Sequence, residues 1–444
     1  MQLKRGQLEL LAPAKNIDIG IAAIECGADA LYIGGPKYGA RESAGNSMED
    51  IHRLVEYAHQ FGVSVYMVVN TILYDSEISG AVSSINRAYE IGCDAVIIQD
   101  LGLLNCDLPP IPLFASTQTN IRTLEQAKLL ESLGFKRLIL ARELSLSQIN
   151  NIRSSTSVEL ESFVHGALCV SYSGNCYMSS KLVGRSGNRG ECAQLCRLNY
   201  NLVNSSGDII VADRPLLSLK DLNLSNRIEQ LIDAGVTSFK IEGRLKDLPY
   251  VSNVVRHYRG ILDDIISKRD DLQKSSFGTV YGGFTPQIDS TFNRGYTSLF
   301  IDNKRAKWSS GSVVKSTGEK VGVISKVWKS GATTSFEYKS QIRLNNGDGL
   351  FIIDKNGVAV GLRANRVNGD IVDTDGVYNI KKDSILYRNY NHNFFKEIVS
   401  NRPRLYMEID LSLSVYLDRI EIKSFFRGDN ILNSSFSIKG EAAN

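Results

Sequence analysis

The chain is short of the residues that most often carry proteolysis. Histidine occurs only five times in 444 residues (His52, His59, His165, His257 and His392), and there is neither an H-E-x-x-H pair nor a G-x-S-x-G elbow. Proteolysis needs an activated nucleophile with its base, or a metal-bound water, so peptidase chemistry is not expected. No apolar run approaches the roughly eighteen residues of a membrane span, so no membrane partner is expected. The opening M-Q-L-K-R-G-Q-L-E-L-L-A-P lacks the apolar core of a secretory leader, which points to a cytoplasmic location with reduced thiols. Neither sign of charge dominates: 51 Lys and Arg stand against 48 Asp and Glu. Bulk charge therefore does not mark a nucleic-acid binder.

What the chain does have is a concentration of cysteine. Four of its seven cysteines, Cys169, Cys176, Cys192 and Cys196, fall in the segment 161–200 with the spacing C-x6-C-x15-C-x3-C. Glycines at 166, 174, 184, 187 and 190 let the backbone curl around them. Four thiols so close can supply a complete thiolate shell for a soft metal centre. Spacing leaves structural zinc and an iron–sulfur cluster level, because both accept four cysteines. Between Tyr177 and Tyr200 the segment carries Lys181, Arg185, Arg189 and Arg197 against one carboxylate, Glu191. Such a loop suits an anionic partner such as RNA, although solvated surface arginines would look the same.

A chain of this length calls for two or three domains. Short apolar runs recur at 8–12, 30–34, 63–69, 95–98, 112–115, 137–141, 158–164 and 237–241, with amphipathic stretches between them. One such stretch, Met48 to Phe61, repeats Ile51, Leu54, Val55, Ala58 and Phe61 at helical steps after Ser47 as N-cap. Eight short strands alternating with helices predict an α/β fold, a (β/α)8 TIM-like barrel over residues 1–300, with a doubly wound sheet as the other possibility. The cysteine segment becomes an insertion between strands 7 and 8. Residues just past the strands then form the active face: Arg41, Asn70, Gln118, Arg142, Glu143 and Arg244 as substrate contacts, and Glu161, His165 and Glu242 as candidate catalytic groups. Beyond 300, period-two alternation with glycine turns predicts a small antiparallel β-barrel at 301–388. Residues 389–444 read as the start of a further C-terminal domain, apparently incomplete.

The runs F-V-H-G-A-L-C-V-S-Y-S-G-N-C-Y-M-S and S-G-N-R-G-E-C-A-Q-L-C-R-L-N-Y resemble the signature of the peptidase U32, or collagenase-like, family. The likeness extends through G-A-D-A-L-Y-I-G-G-P-K-Y-G-A-R, S-F-K-I-E-G-R-L-K-D and F-N-R-G-Y-T. N-T-I-L-Y-D, I-I-Q-D-L-G and L-P-P-I-P-L-F-A-S-T-Q are most similar to its 23S rRNA 5-hydroxycytidine synthase branch. This resemblance implies a [4Fe–4S] cluster on Cys169, Cys176, Cys192 and Cys196 in place of zinc. It also implies prephenate-dependent hydroxylation of a cytidine at carbon 5 in 23S rRNA. Inserting that hydroxyl is an oxidation, so a redox cofactor and an electron donor of unknown identity are expected. Arg142, Arg244 or Arg41 would take the prephenate carboxylates. Arg185, Arg189 and Arg197 would take phosphates, and Tyr172 or Tyr177 a splayed base. The alternatives are tRNA wobble-uridine hydroxylation and, from another class, a non-enzymatic iron–sulfur scaffold or electron-transfer protein.

Overall fold

The computed structural model describes residues 3–40, 45–304, 307–309, 316–426 and 434–439. Eight parallel strands close into a barrel: β1 (Gln7–Ala14), β2 (Ala30–Gly34), β3 (Ser64–Val69), β4 (Ala95–Ile98), β5 (Leu113–Ala115), β6 (Arg137–Ile139), β7 (Glu159–Gly166) and β8 (Ser238–Ile241). Closure comes from β8, which pairs with both β1 and β7. Every residue of β2, β4, β6 and β8 is buried. Strands packed on both faces read as nearly continuous apolar runs, which is why the sequence displays them so clearly.

The helices follow from local signals. Met48–His59 buries Ile51, Leu54, Val55 and Ala58, and the Ser47 side chain accepts from the Asp50 amide at 3.1 Å. Gly27, Gly92 and Gly235 each turn the chain from helix to strand at positive φ (98°, 85° and 91°), a conformation only glycine takes cheaply. One crossover differs. Between β4 and β5 there is only a short 3-10 turn, Leu101–Asn105, because the D-L-P-P-I-P run that follows removes three amide donors.

On one rim of the barrel a short strand, Asp221–Asn223, runs antiparallel to the end of β7 and parallel to Tyr296–Thr297. The second module is a closed six-stranded antiparallel barrel from Glu319–Ser330 to Ile385–Tyr390 around Ile324, Phe336, Leu350, Val372 and Leu386. The chain enters it beside Asn293, whose carbonyl accepts from the Thr317 amide at 2.8 Å, and leaves it at Asn391 beside Ser290.

The region expected to open a further domain at 389 instead first returns to the main barrel. Helix His392–Ser400 packs Phe394 and Ile398 against Phe284 and Leu248. Arg404–Tyr406 pairs with Thr279–Tyr281, and Arg404 meets Glu25 at 2.9 Å. The sequence hides this return because the helix has only two turns and a two-residue apolar face. A separate three-stranded sheet, Ile409–Val415, Arg419–Phe426 and Ser434–Lys439, follows. No helix among the described residues is long and apolar enough to cross a membrane.

Candidate functional site

The lower half of the barrel interior holds an ion network rather than an apolar plug. Arg137, wholly buried, reaches Glu9 at 2.5 Å, Glu159 at 2.8 Å and Glu161 at 3.3 Å. Lys240 completes the network by donating to Glu161 at 2.7 Å. Burial opposes the charge on Arg137, but the surrounding carboxylates outweigh it and hold the guanidinium ionised. Glu161 is thus a strut of this network with no exposed surface. It sits below the mouth, paired with Arg137 and Lys240, and is not among the residues lining the cup where a catalytic group was expected.

Above Lys240 opens a small cup of about 60 Å3, lined by Asn70, Gln118, Arg142, Lys240, Glu242 and Arg244 among others. Asn70 is fixed by accepting from the Ala40 amide at 2.9 Å and donating to Ser116 Oγ at 3.0 Å. Arg142 lies over the Phe163 ring at 3.9 Å and meets Glu242 at 2.7 Å. Burial lowers the pKa of Lys240, and Glu161 counters part of that effect. Three cations and one carboxylate line its wall, donors of the kind that can receive a small anion.

The cysteine segment lies between β7 and β8 in the chain and docks onto this mouth. The Gly174 amide donates to Gln118 Oε1 at 3.1 Å, and a Cβ at Gly174 would stand 2.0 Å from the Gln118 carbonyl oxygen with φ already at +73°. Asn188 Oδ1 accepts from the Cys176 amide at 3.3 Å. Arg197 is buried and donates to the Leu219 and Leu168 carbonyls, both at 2.6 Å. Cys169, Cys192 and Cys196 line a cavity of about 550 Å3 with Arg185, Lys246 and Arg294. Arg142 and Glu242 line both this cavity and the cup, so their ion pair is the partition between them. The Cys196 thiol is pushed up by burial, and each of the other three segment cysteines adds to the rise. By contrast, Cys26 and Cys93 are packed in the core with thiols pushed up to about 12 by burial.

Since the Gly174 contact meets backbone, no side-chain rotation relieves it. Gly174→Ala should undock the loop that presents Cys176. Limited proteolysis should then cut within 170–190 at least about tenfold faster, since cleavage tracks the population of the open form.

The structure divides the other expected residues. Asn70, Gln118, Arg142, Glu242 and Arg244 meet in the cup. Arg185 faces the cysteine cavity. Glu143 lies outside the cup, between two further hollows. Arg41 lies outside the described residues. Arg189 is not a free phosphate ligand: it grips Glu77 at 2.7 and 2.9 Å and covers the Tyr74 ring at 4.0 Å, pinning the loop to helix Asp75–Glu90. His165 is 1 % exposed among Tyr250, Tyr258 and Tyr296, and lines none of these hollows. Burial drops its pKa to about 3, with His257 adding to the effect, so it stands neutral among these rings. The sequence reading missed Lys240 and Lys246. Burial drops Lys246 to about 8, and its ammonium sits over the Phe292 ring.

The depressed His165 pKa has a measurable consequence. Unfolded chain takes up the His165 proton near pH 6.5 and folded chain only near 3, so this residue removes stability as pH falls between those values. His165→Phe should therefore show a shallower loss of stability across that window in denaturant titrations. An unchanged slope would mean the imidazole is solvated.

The family model described as peptidase family U32 matches residues 15–310. A 23S rRNA 5-hydroxycytidine synthase of Escherichia coli is 42% identical over 95% of this chain and 65% of its own length. The chain thus spans less than two thirds of that relative. A tRNA hydroxylation protein of Bacillus subtilis is 37% identical over 66% of this chain and 71% of its own. A collagenase of Porphyromonas gingivalis is 30% identical over 68% and 75%.

Proposed function

The chain belongs to peptidase family U32, and from that premise we propose that it is an iron–sulfur RNA hydroxylase forming 5-hydroxycytidine in 23S rRNA in the cytoplasm. The observation that carries this reading is the shared wall, Arg142 with Glu242, between an anion-receiving cup and a cavity lined by cysteines. The names of the rRNA and tRNA relatives support RNA hydroxylation over the peptidase chemistry named for others.

Four thiols in one segment support a cluster over an oxygen-ligated metal. Cys169, Cys192 and Cys196 line one cavity, and thiolates are the donors that iron–sulfur clusters take. A [4Fe–4S] cluster spreads its ligands over several irons, and Cys169, Cys176, Cys192 and Cys196 would hold it. When bound, it supplies electron transfer beside the site of oxidation.

The remaining residues bind and orient. The cup takes a carboxylate group, with Arg142 and Arg244 as forked donors and Lys240 on the floor. At about 60 Å3 it does not enclose a whole metabolite. The rest of a dicarboxylate such as prephenate extends past the partition into the cysteine cavity. Its carboxylate competes with Glu242 for Arg142, so binding loosens the partition. Arg185, Lys246 and Arg294 in the larger cavity attract RNA phosphates.

Nucleoside mass spectrometry of RNA from a strain lacking the gene tests this. Loss of 5-hydroxycytidine from 23S rRNA is the expected result. Loss of hydroxyuridine from tRNA instead would assign the second reading, which the tRNA relatives support.

A further inference from the structure

A hollow of about 350 Å3 opens on the far side of Cys169 from the basic cavity, and its size is that of small-ligand sites, about 300–1,000 Å3. Tyr172, Phe300 and Trp308 give it three aromatic walls. Tyr172, Phe300 and Glu143 also line a second, more open hollow that holds Arg122, so the two form one trough. Tyr172 is 57 % exposed, an unusual state for a large ring beside a pocket, and Arg122 stacks on it at 3.7 Å.

Two polar groups in the trough have unmet needs. Glu143 Oε1 and Arg122 Nε are buried with no hydrogen-bond partner. Burial lifts the Glu143 carboxyl above the ordinary range, which Arg122 and Arg142 only partly offset. Leaving a buried acceptor and a buried donor unmet side by side is costly, and a ligand bearing both a donor and an acceptor on a flat aromatic edge would relieve it. A pyrimidine that carries an amino group is such a ligand. Its ring stacks on aromatic faces, its amino group donates to a carboxylate, and its ring nitrogen and carbonyl accept from a guanidinium.

We propose that this trough holds one unpaired cytosine of an RNA strand, stacked on Tyr172, Phe300 and Trp308 and read by Glu143 and Arg122. The inference rests on the RNA-modifying function above and adds where a base is gripped and what selects it. Uracil presents a carbonyl in place of the amino group and meets the Glu143 carboxylate unfavourably. The base lies against Cys169, so the strand runs from the trough toward the basic cavity.

The chain has two tryptophans, so Trp328→Phe leaves Trp308 as its single fluorescent reporter. Titrating that protein, purified with its iron, with hexacytidylate should quench Trp308 saturably, and hexauridylate should bind at least about tenfold more weakly. Adding Tyr172→Ala should weaken hexacytidylate about tenfold or more, and Glu143→Gln should bring the two oligonucleotides close to equal affinity. Absent quenching, an unaffected Tyr172→Ala, or a cytosine preference that survives Glu143→Gln would each overturn the proposal. Nucleoside analysis keeps the two readings apart. Full RNA hydroxylation in a strain carrying Tyr172→Ala removes the trough and leaves the function standing. Cytosine-selective quenching by a protein whose deletion changes no hydroxylated nucleoside removes the function and leaves the trough.

Discussion

Cys192→Ser should strip the protein of its iron. Purified without oxygen, the variant should lose the visible absorption of iron–thiolate bonds and most of its bound iron and sulfide. RNA hydroxylation should fall by at least about 100-fold, because even residues that merely support metal ligands cost about 10–100-fold when replaced. Cys192 is the sharpest choice, since it is exposed at the wall of the large cavity and its replacement disturbs no core packing. Cys106→Ser is the matched control: that thiol donates to the Gly102 carbonyl at 3.7 Å and lies far along the chain from the segment. Iron retained in Cys192→Ser, or lost equally in Cys106→Ser, would remove the four-cysteine assignment.

Arg137→Met should be the most destabilising single change in the barrel. The methionine fills much of the same volume but leaves Glu9 buried without its cation and takes one cation each from Glu159 and Glu161. Breaking a buried pair from one side costs about 3–5 kcal/mol. For a domain of this size that lowers Tm by roughly 10 °C. Adding Glu9→Gln should recover part of the loss, because Glu161 keeps Lys240 at 2.7 Å while Glu9 no longer needs a cation. A fall of less than about 2 °C in the single variant, measured by calorimetry, would mean that water reaches these carboxylates.

The parts of this molecule legible in the sequence are those whose cause is local. All eight barrel strands stand where apolar runs announced them, and the Ser47 cap and the turning glycines sit where their chemistry requires. Arg189 shows where that logic fails. Its position in a basic loop suggested phosphate binding, but Glu77, which neutralises it, lies 112 positions away. Glu161 failed for the same reason, since a carboxylate at a strand end looks functional until Arg137 and Lys240 are brought against it. Nothing in T-S-F-K-I marks Lys240, since a run read as a buried strand does not show which side its one lysine faces. Only barrel closure turns it inward, onto the cup floor.

The two junctions of the six-stranded module bear on how this chain came to be built. Asn293 and Ser290, which receive the outgoing and returning ends, are three positions apart, and no strand of the module joins the main barrel's sheet. The module is therefore a pendant hung from this loop, with a further tie where Arg214 donates to the Asn356 and Gly357 carbonyls. A gene can acquire, exchange or discard such a pendant in one event without unpairing any strand that encloses the cup. The main barrel can likewise finish folding without waiting for it.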